Sequence, residues 1–469
     1  MNVWPLKFRE MSDGSVLFCD DAGGFFKSTD GFLDRYAADG LTTVDETFLR
    51  DGNHGFDREF DLRWTSFAYR WARRQARPTR MNYVILVPTL RCNLACGYCQ
   101  VSRAAEKARG YDWSDETLSR TISFLDRLEG SDIKIEFQGG EPLLRVDLLQ
   151  TVRDFCRGKF SRSQFVVCTN LQALDERAWT FLDADDTFIS TSLDGDRTTH
   201  ERQRTHGSAV TDVFFRNLET AASRYPEGKI SALPTVDVAN PPDFDALLDN
   251  YERFGIRSVY LRPINHQGFA RKIQQGDNVL ARWNRLHAEF IDRLIARNHR
   301  TGRFMEEYYF SQCLKRALRF GADSHVDIRN PNFFASDYVV IDHDGRLYPT
   351  DEARMLSRIG QIDLSIGDVG RGIDRAKVGV LNSGAFNNFD PDCIHCVYQP
   401  FCGTDVIDDI SRYGRIDVPR PDTWFCGRHL SLFDKVFEVL YRKDEPARAS
   451  VAAWLGVGDW DDSMAPIHR

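Results

Sequence analysis

Between residues 81 and 261 the chain alternates short apolar runs with longer segments of helical periodicity. The predicted strands are 83–87, 134–137, 164–168, 188–192, 230–236 and 258–261. Amphipathic segments such as 114–128, 145–155 and 243–253 lie between them. This alternation is typical of βα units built around a parallel sheet. Six such strands predict an α/β fold with a partial (β/α)6 barrel, and a site is expected at the carboxyl ends of its strands.

The segments on either side of this core, 81–300, follow other patterns. Residues 1–80 predict a small N-terminal module, with a hairpin turning at Asp13-Gly14 and short helices over 29–36 and 43–49. Residues 301–430 include a hairpin-like segment over 338–348, followed by a cysteine-rich stretch. An apolar segment over 430–440 predicts a helix that leads into a C-terminal helix and tail, 431–469.

Composition and charge narrow the functional classes. The chain has 469 residues, 42% of them hydrophobic, which suffices for one large domain with one or two small ones. Its formal net charge of -8 provides no global positive field for nucleic acid or an anionic membrane. No run approaches the roughly 18 apolar residues of a membrane span, and the first residues lack a secretory pattern. We expect a cytoplasmic protein with neither a nucleic-acid nor a membrane partner.

The chain contains 11 cysteines, and most of them fall into two groups. In a reducing compartment such groups are expected to bind metal or to act in catalysis. The first group is Cys92, Cys96 and Cys99, and the second is Cys393, Cys396, Cys402 and Cys426. The other four have no ligand-like spacing and are predicted to be buried structural thiols: Cys19, Cys156, Cys168 and Cys313.

The first group follows the first predicted strand, in the segment TLRCNLACGYC over residues 89–99. Three thiolates hold only three irons of a 4Fe-4S cube, so the fourth iron stays open. The spacing of Cys92, Cys96 and Cys99 resembles the signature of the radical S-adenosylmethionine (SAM) superfamily. Members of that superfamily bind SAM at the open iron and cleave it to a 5′-deoxyadenosyl radical. A zinc knuckle is the alternative interpretation.

Later strand ends extend this resemblance to the SAM contacts. Gln138-Gly139-Gly140-Glu141-Pro142 follows the second strand and resembles the motif that holds the SAM amino group. Glycines at such a place let the chain approach a ligand closely, although the same residues in isolation would predict a turn. Asn170 follows the third strand, and Ser192, at the end of the fourth, resembles the ribose contact of the family.

Two further side chains are assigned through the resemblance alone. Tyr98 matches the aromatic residue that packs near the adenine, with ordinary packing as the alternative. Arg204, in the segment HERQR over 200–204, matches the arginine that binds the SAM carboxylate. A solvated, charged start of a helix would also explain that segment.

The second group supplies four thiolates, which close a metal site completely; a four-cysteine zinc site is the alternative. Its spacing resembles the C-terminal SPASM domain of peptide-modifying radical SAM enzymes. A complete SPASM domain carries two auxiliary clusters, but two of its ligand positions are Thr350 and Val406 here. The resemblance therefore implies one auxiliary 4Fe-4S cluster, in addition to the SAM-binding 4Fe-4S cluster.

Asp351 lies where the family has a catalytic base, with a surface aspartate as the alternative. The overall layout, with YPTDE at 348–352, looks like the His-Xaa-Ser system maturases. That resemblance implies an oxidoreductase that modifies a ribosomally made precursor peptide, with an intramolecular crosslink such as a cyclophane as the product. It also implies an electron donor, either a reductase or a flavodoxin or ferredoxin.

Two rival functions and one open question remain. The chain also fits a sulfatase-maturase-like dehydrogenase that oxidises a Ser or Cys side chain, and a zinc-dependent structural binding protein. Residues 1–80 could bind the leader of the precursor as an added edge strand, or could simply cap the barrel.

Overall fold

The computed structural model describes residues 1–29, 31–76, 80–273, 277–319 and 329–468. In the N-terminal part, strands β1–β5 are Asn2–Val3, Leu6–Glu10, Val16–Asp20, Phe25–Ser28 and Gly55–Phe56, and helices α1–α3 are Phe32–Ala37, Thr43–Asp51 and Leu62–Arg74.

The central part contains strands β6–β16 and helices α4–α11. The strands are Tyr83–Thr89, Arg91–Cys92, Ala104–Ala105, Asp132–Gly139, Arg162–Cys168, Thr187–Thr191, Ile230–Ala232, Thr235–Val236, Ser258–Val259, Arg262–Pro263 and Glu306–Glu307. The helices are Asp115–Asp126, Val146–Lys159, Glu176–Leu182, Arg197–His200, Ser208–Arg224, Phe244–Arg253, Val279–Thr301 and Tyr308–Leu318.

The remaining strands, β17–β21, are Tyr338–Ile341, Leu347–Tyr348, Gly367–Asp368, Gly372–Ile373 and Ile467–His468. Helices α12–α16 are Asp351–Arg358, Arg375–Asn382, Val406–Tyr413, Trp424–Tyr441 and Glu445–Leu455. Single turns of 3-10 helix occur at Pro142–Arg145, Gly268–Lys272, Arg420–Asp422 and Asp462–Met464, and Glu201–Thr205 forms a turn of π-helix.

The main sheet confirms the predicted α/β fold. It has nine strands in the order β16-β14-β12-β11-β10-β9-β6-β17-β18. The six predicted strands are neighbours in chain order, and each pairs in parallel with the next. Because β16 and β18 end the sheet on opposite sides, the sheet is open, as a partial barrel requires.

A proline explains one difference between the predicted and the observed strands. The fifth predicted strand divides into β12 and β13 around Pro234, whereas the sixth, predicted over 258–261, is shortened to β14 at Ser258–Val259. Proline has no N–H group to donate to a neighbouring strand, so it interrupts the hydrogen-bond ladder. The first strand continues through Pro88 to Thr89 at the cost of a register shift between Leu86 and Thr89.

The two faces of the main sheet have different polarity. Along β9, Ile133, Ile135 and Phe137 are buried in the main core, while Lys134 and Glu136 on the other face are only half-buried. Strands of parallel sheets are usually apolar on both faces because helices cover both. Here helices cover one face, and the other face is polar at β9 but apolar at β6, where Ile85 and Val87 are buried in a second cluster.

The N-terminal segment forms its own sheet, in the order β2-β3-β4-β21. The predicted hairpin is confirmed, since β2 and β3 pair antiparallel and turn through Gly14 at φ 78°. Strand β21 lies near the end of the chain and pairs in parallel with β4. The predicted N-terminal module and the predicted C-terminal tail therefore share one sheet.

The hairpin predicted over 338–348 is also confirmed. Its strands β17 and β18 are antiparallel, and β17 extends the main sheet by pairing in parallel with β6. The apolar segment at 430–440 is the C-terminal part of the longer helix α15, Trp424–Tyr441. Among the helices of the described residues, none combines the length and the apolar character needed to cross a bilayer.

Candidate functional site

The loop that carries the first cysteine group lies against the glycine motif at the end of β9. The amide of Gly140 donates to the carbonyl of Thr89 over 3.0 Å, and the amide of Glu141 donates to the carbonyl of Arg91 over 2.8 Å. A Cβ atom on Gly140 would lie 2.2 Å from the Arg91 carbonyl oxygen, and one on Gly139, at φ +129°, would lie 2.2 Å from that of Thr89. Both glycines are therefore required for this contact between the motif and the cysteine loop.

Glu141 joins the glycine motif to the end of the next strand. Its buried carboxylate accepts hydrogen bonds from the Leu143 amide (3.1 Å), the Thr169 hydroxyl (2.8 Å) and the Asn170 amide (2.8 Å). Burial raises the pKa of Glu141 to about 7, although these donors favour the ionised form. Glu141 thus fixes the position of Asn170 relative to the cysteine loop.

Asn170 contacts the first cysteine group directly. Its Nδ2 atom lies 3.6 Å from Cys92 Sγ and donates to Asn93 Oδ1 over 2.8 Å. The Leu94 amide also donates to Cys92 Sγ, over 3.4 Å. Hydrogen bonds to sulfur stabilise thiolate ligands and tune a cluster. In the metal-free chain, burial raises the pKa of Cys92 to about 12, so its proton must leave when metal binds.

Tyr98, Arg204 and Asp194 form a hydrogen-bonded group behind the cysteine loop, in which Asp194 is buried and the other two are half-buried. Arg204 donates to the Tyr98 hydroxyl over 2.6 Å, and that hydroxyl donates to Asp194 over 2.5 Å. Asp194 also accepts from the Thr235 amide over 3.0 Å. Burial raises the pKa values of Tyr98 and Asp194. The structure therefore brings two predicted SAM contacts together, and it adds Asp194, which the sequence argument did not select.

Arg204 lies in the single turn of π-helix at Glu201–Thr205. Such turns occur frequently at functional sites, because the extra residue redirects a side chain. The backbone of this turn reaches the cysteine loop, since the Gly97 amide donates to the Gln203 carbonyl over 3.0 Å. A sequence pattern of 3.6-residue periodicity cannot indicate this turn, so only the resemblance identified Arg204.

Ser192 and the polar face of the sheet complete this region. Ser192 is half-buried and directly follows β11 at the same sheet edge. On the polar face, Glu136 accepts from the Tyr83 hydroxyl over 2.6 Å and from Cys168 Sγ over 3.3 Å. Cys168 therefore differs from the predicted buried structural thiol. The signal for this face was the alternation of polar residues within β9, which the sequence argument did not use.

The second cysteine group surrounds one cavity of about 280 Å³. Cys393, Cys396 and Cys402 lie on the loop between α13 and α14, and Cys426 lies in the first turn of α15. The start of α15 is capped by Thr423, whose hydroxyl accepts from the Cys426 amide over 3.1 Å. All four thiols line this cavity, so the structure brings together every cysteine of the predicted second site.

Thr350 and Val406, the two positions where a complete SPASM domain has cluster ligands, have other roles in this structure. Thr350 caps α12 by accepting from the Ala353 amide over 3.0 Å. Val406 begins α14 and packs in an apolar cluster with Leu356 of α12 and Ile407. Helix packing therefore occupies the region in which the missing ligands would lie.

Asp351 is the first residue of α12, and it is almost fully buried rather than on the surface. Its carboxylate accepts from Arg354 Nε over 2.7 Å, and Arg354 is itself completely buried. Burial raises the pKa of Asp351 despite this arginine. Glu136 and Cys168 are among its electrostatic neighbours, so Asp351 faces the polar interior of the main sheet.

Comparison with known families places this geometry in context. Residues 86–250 match the profile of the Radical SAM superfamily. An uncharacterized protein of Methanocaldococcus jannaschii, MJ0907, is 33% identical over 117 residues, which is 24% of this chain and 39% of that protein. The GTP 3′,8-cyclase of Listeria monocytogenes is 29% identical over 137 residues, 28% of this chain and again 39% of the relative. The matched segment thus spans about two fifths of these relatives.

Solved structures share the fold over more of the chain. The structure of anSMEcpe with bound AdoMet and Cp18Cys peptide has a TM-score of 0.60 at 17% identity, and the match covers 76% of this chain and 96% of that one. Streptococcus suis SuiB bound to precursor peptide SuiA has a TM-score of 0.50 at 12% identity, with 88% and 97% covered. At such identities the likeness shows that this chain shares their fold.

Proposed function

We propose that this chain is a radical SAM maturase that oxidises a ribosomally made precursor peptide. The proposal rests on one observation: the three cysteines, the glycine motif and Asn170 lie in contact with one another at the carboxyl ends of parallel strands. The matching profile over 86–250 covers all of these residues. The anSMEcpe and SuiB structures hold peptides, and their folds match this chain over most of its length.

The residues present fit a SAM-binding cluster. Cys92, Cys96 and Cys99 provide three thiols on one loop, and amide groups of Leu94 and Asn170 direct hydrogen bonds to Cys92 Sγ. When bound, the cluster and SAM supply a 5′-deoxyadenosyl radical that removes a hydrogen atom from the substrate. Glu141 orients Asn170, and Gly139 and Gly140 let the main chain approach the ligand.

The hydrogen-bonded group of Arg204, Tyr98 and Asp194 fits the carboxylate and adenosine parts of SAM. A guanidinium group is suited to a carboxylate because it forms charge-assisted hydrogen bonds. The Tyr98 hydroxyl and Asp194 hold Arg204 in place, so little side-chain entropy is lost when the ligand binds. Ser192, at the same sheet edge, is assigned to the ribose.

The second cysteine group fits one auxiliary 4Fe-4S cluster. Four thiols around one cavity close a cube and leave no iron open to SAM. Helix packing at Thr350 and Val406 argues against a second auxiliary cluster in this chain. When bound, the auxiliary cluster accepts the electron that the oxidised peptide releases.

Asp351 is assigned as the acceptor of the proton that leaves the peptide. Its pKa is raised, its carboxylate faces the polar interior, and Arg354 fixes its position. A general base must reach the proton that it removes and must bind it strongly enough at the working pH. Because burial raises its pKa, Asp351 binds a proton strongly and so meets the second of these requirements.

Within this class we assign the reaction to intramolecular crosslinking, as in the His-Xaa-Ser system maturases, with a cyclophane as one such product. A crosslink removes two hydrogen atoms. The 5′-deoxyadenosyl radical would take the first, and the second would leave as a proton, which Asp351 would accept, and an electron, for which the auxiliary cluster would supply the acceptor. A reductase, or a flavodoxin or ferredoxin, is assigned as the donor for the SAM cluster.

The N-terminal module is assigned to bind the leader of the precursor. Strand β2 lies at the edge of its sheet, and Phe8 on this strand is 51% exposed. An extended peptide can add to such an edge through main-chain hydrogen bonds. If Phe8→Ala leaves the Kd for the precursor unchanged while removal of the leader weakens it, the leader binds elsewhere.

Metal analysis combined with peptide mass spectrometry tests the proposal. The anaerobically prepared protein is expected to hold about eight irons, and a Cys92→Ala, Cys96→Ala, Cys99→Ala variant about four. With SAM and a reductant, the wild-type protein should lower the mass of the precursor encoded beside its gene by two hydrogen atoms. Fragmentation then separates a ring, which resists cleavage, from a dehydrogenated Ser or Cys. Zinc without iron would instead support the structural binding protein.

A further inference from the structure

Two buried arginines hold the main chain directly before Cys402. Arg316 Nε donates to the Phe401 carbonyl over 2.8 Å, and an Arg74 Nη atom lies 3.5 Å from the Pro400 carbonyl oxygen. The side chains of Arg74 and Arg316 are only 4% and 2% exposed. A buried guanidinium that bonds carbonyl oxygens fixes the peptide planes that it contacts, because leaving either partner unsatisfied is costly.

Arg74 belongs to the N-terminal module, at the end of helix α3. It also donates to the Ala22 carbonyl over 2.7 Å and to the Arg316 carbonyl over 3.2 Å, and its guanidinium lies 4.9 Å from the centre of the Phe401 ring. One side chain therefore connects the N-terminal sheet, helix α11 and the loop of the second cysteine group.

A second connection runs from the N-terminal sheet to Cys402 itself. Lys7 on β2 donates to the Gln399 side chain over 2.7 Å, and Gln399 donates to the Asn387 side chain over 2.8 Å. Asn387 then donates to the Cys402 carbonyl over 2.8 Å. Asn387 and Gln399 are buried, so this chain of hydrogen bonds is shielded from water.

Cations also line the cavity of the four thiols. Arg9 of β2 and Arg420 lie in its wall together with the four cysteines. A four-thiolate site carries net negative charge, and cations around its ligands stabilise it. The N-terminal module provides one of these two cations.

We propose that the N-terminal module is an integral part of the second cysteine site, in which Arg74 positions the 396–402 loop for metal binding. The inference rests on the proposed auxiliary site. It assigns the module a task that is independent of leader binding. It also implies that deleting residues 1–80 would damage the metal site, so that deletion cannot test leader binding alone.

The test uses the full chain with Cys92, Cys96 and Cys99 changed to Ala, in which any remaining iron belongs to the second site. In that background Arg74→Met is expected to reduce the retained iron from about four per chain to below about two. Iron release to a ferrous chelator should become at least about tenfold faster, the lower end of the usual effect of removing a group that orients a ligand. The Arg74→Lys protein, which keeps the charge, should have an iron content and an iron-release rate between those of the parent protein and the Arg74→Met protein.

Arg153→Met is the matched control. Arg153 is also buried, donates to the Phe181 carbonyl over 2.6 Å and lies over the Phe181 ring at 3.8 Å, but it belongs to helix α5 of the barrel. Its loss should leave iron content and release unchanged. Equal release from the Arg74→Met and Arg153→Met proteins would overturn the inference.

Circular dichroism shows whether the Arg74→Met protein folds. If it does not fold, the Lys7→Met variant tests the same inference. Lys7 does not contact Arg74 or Arg316, and its loss interrupts the chain through Gln399 and an ion pair with Asp21 of the same module. Faster iron release from a folded Lys7→Met protein supports the inference, and wild-type release contradicts it. If the second site holds zinc, the proposed function fails, but zinc release from the same variants still tests the role of Arg74.

Discussion

Replacing Gly140 by alanine should disrupt the first cysteine site. The new Cβ atom would lie 2.2 Å from the Arg91 carbonyl oxygen, whereas real Cβ contacts essentially never fall below 3.0 Å. The loop must therefore move by about 0.8 Å, the difference between those two distances. Overpacking of this kind costs about 1–3 kcal/mol, and losing one or two backbone hydrogen bonds costs about 1 kcal/mol each. We expect a total of about 2–5 kcal/mol, concentrated on the residues that flank Cys92.

Iron analysis measures this effect. Total iron should fall from about eight to about four per chain, because the second site keeps its cluster, and cleavage of SAM should be lost. Gly158→Ala is the control, because Gly158 is exposed in helix α5 and a Cβ atom added there would meet nothing outside its own helix within 4 Å. That change should stabilise the helix by about 0.5–1 kcal/mol. A Gly140→Ala protein with full iron content and normal SAM cleavage would refute the argument that this contact is obligatory.

Three further predictions concern the charged groups of the site. The pKa of Glu141 is about 7 in the folded chain, against 4.5 for an unperturbed glutamate. The folded chain therefore binds the proton more tightly than the unfolded chain does, and protonation of Glu141 stabilises the fold. This stabilisation is complete below about pH 4.5 and is lost as the pH rises through 7, by about 3 kcal/mol in all. Urea denaturation of the cluster-free protein between pH 5 and pH 8 should show this loss in the wild type but not in Glu141→Gln, and equal pH profiles would contradict it. Asp351→Asn should lower the rate of peptide product formation by about 10²–10⁴-fold, while 5′-deoxyadenosine still forms. The control Asp344→Asn, at the exposed hairpin turn, should behave as wild type. A fully active Asp351→Asn enzyme would exclude Asp351 as the base. Arg204→Gln should raise the Kd for SAM at least about tenfold, since a charged hydrogen bond contributes about 1.5–3 kcal/mol, and calorimetry should find no such change for the exposed Arg202→Gln.

The barrel and the two cysteine groups follow from local patterns in the sequence. Apolar runs of strand length and amphipathic helices define the order of β6, β9, β10 and β11, because each parallel strand pairs with its neighbour along the chain. The spacings within Cys92–Cys99 and within Cys393–Cys402 reflect loop geometry that is complete within a few residues, whereas Cys426 joins the second group from helix α15. The order of the strands needs no knowledge of distant contacts, and the fold confirms it.

Other features depend on contacts between distant segments. The pairing of Tyr98 with Asp194 spans 96 residues, and the contact of Arg74 with Pro400 spans 326. Neither is indicated by spacing or periodicity. The burial of Asp351 likewise depends on Arg354 and on the hairpin β17–β18 that joins the main sheet. Sequence patterns identified these residue types but not their partners.

The pairing of β4 with β21 has a consequence for biosynthesis. Lys27 pairs with Ile467, 440 residues later, and His468 is buried 3.0 Å from Asp45. At about 5–20 residues per second, a ribosome needs roughly 20–90 s to travel between these two strands. During that interval the first sheet has an open edge, and a nascent chain with an open edge is prone to pair with other chains. Until β21 emerges from the ribosome and covers the β4 edge, chaperones or a low concentration of nascent chains would reduce such pairing.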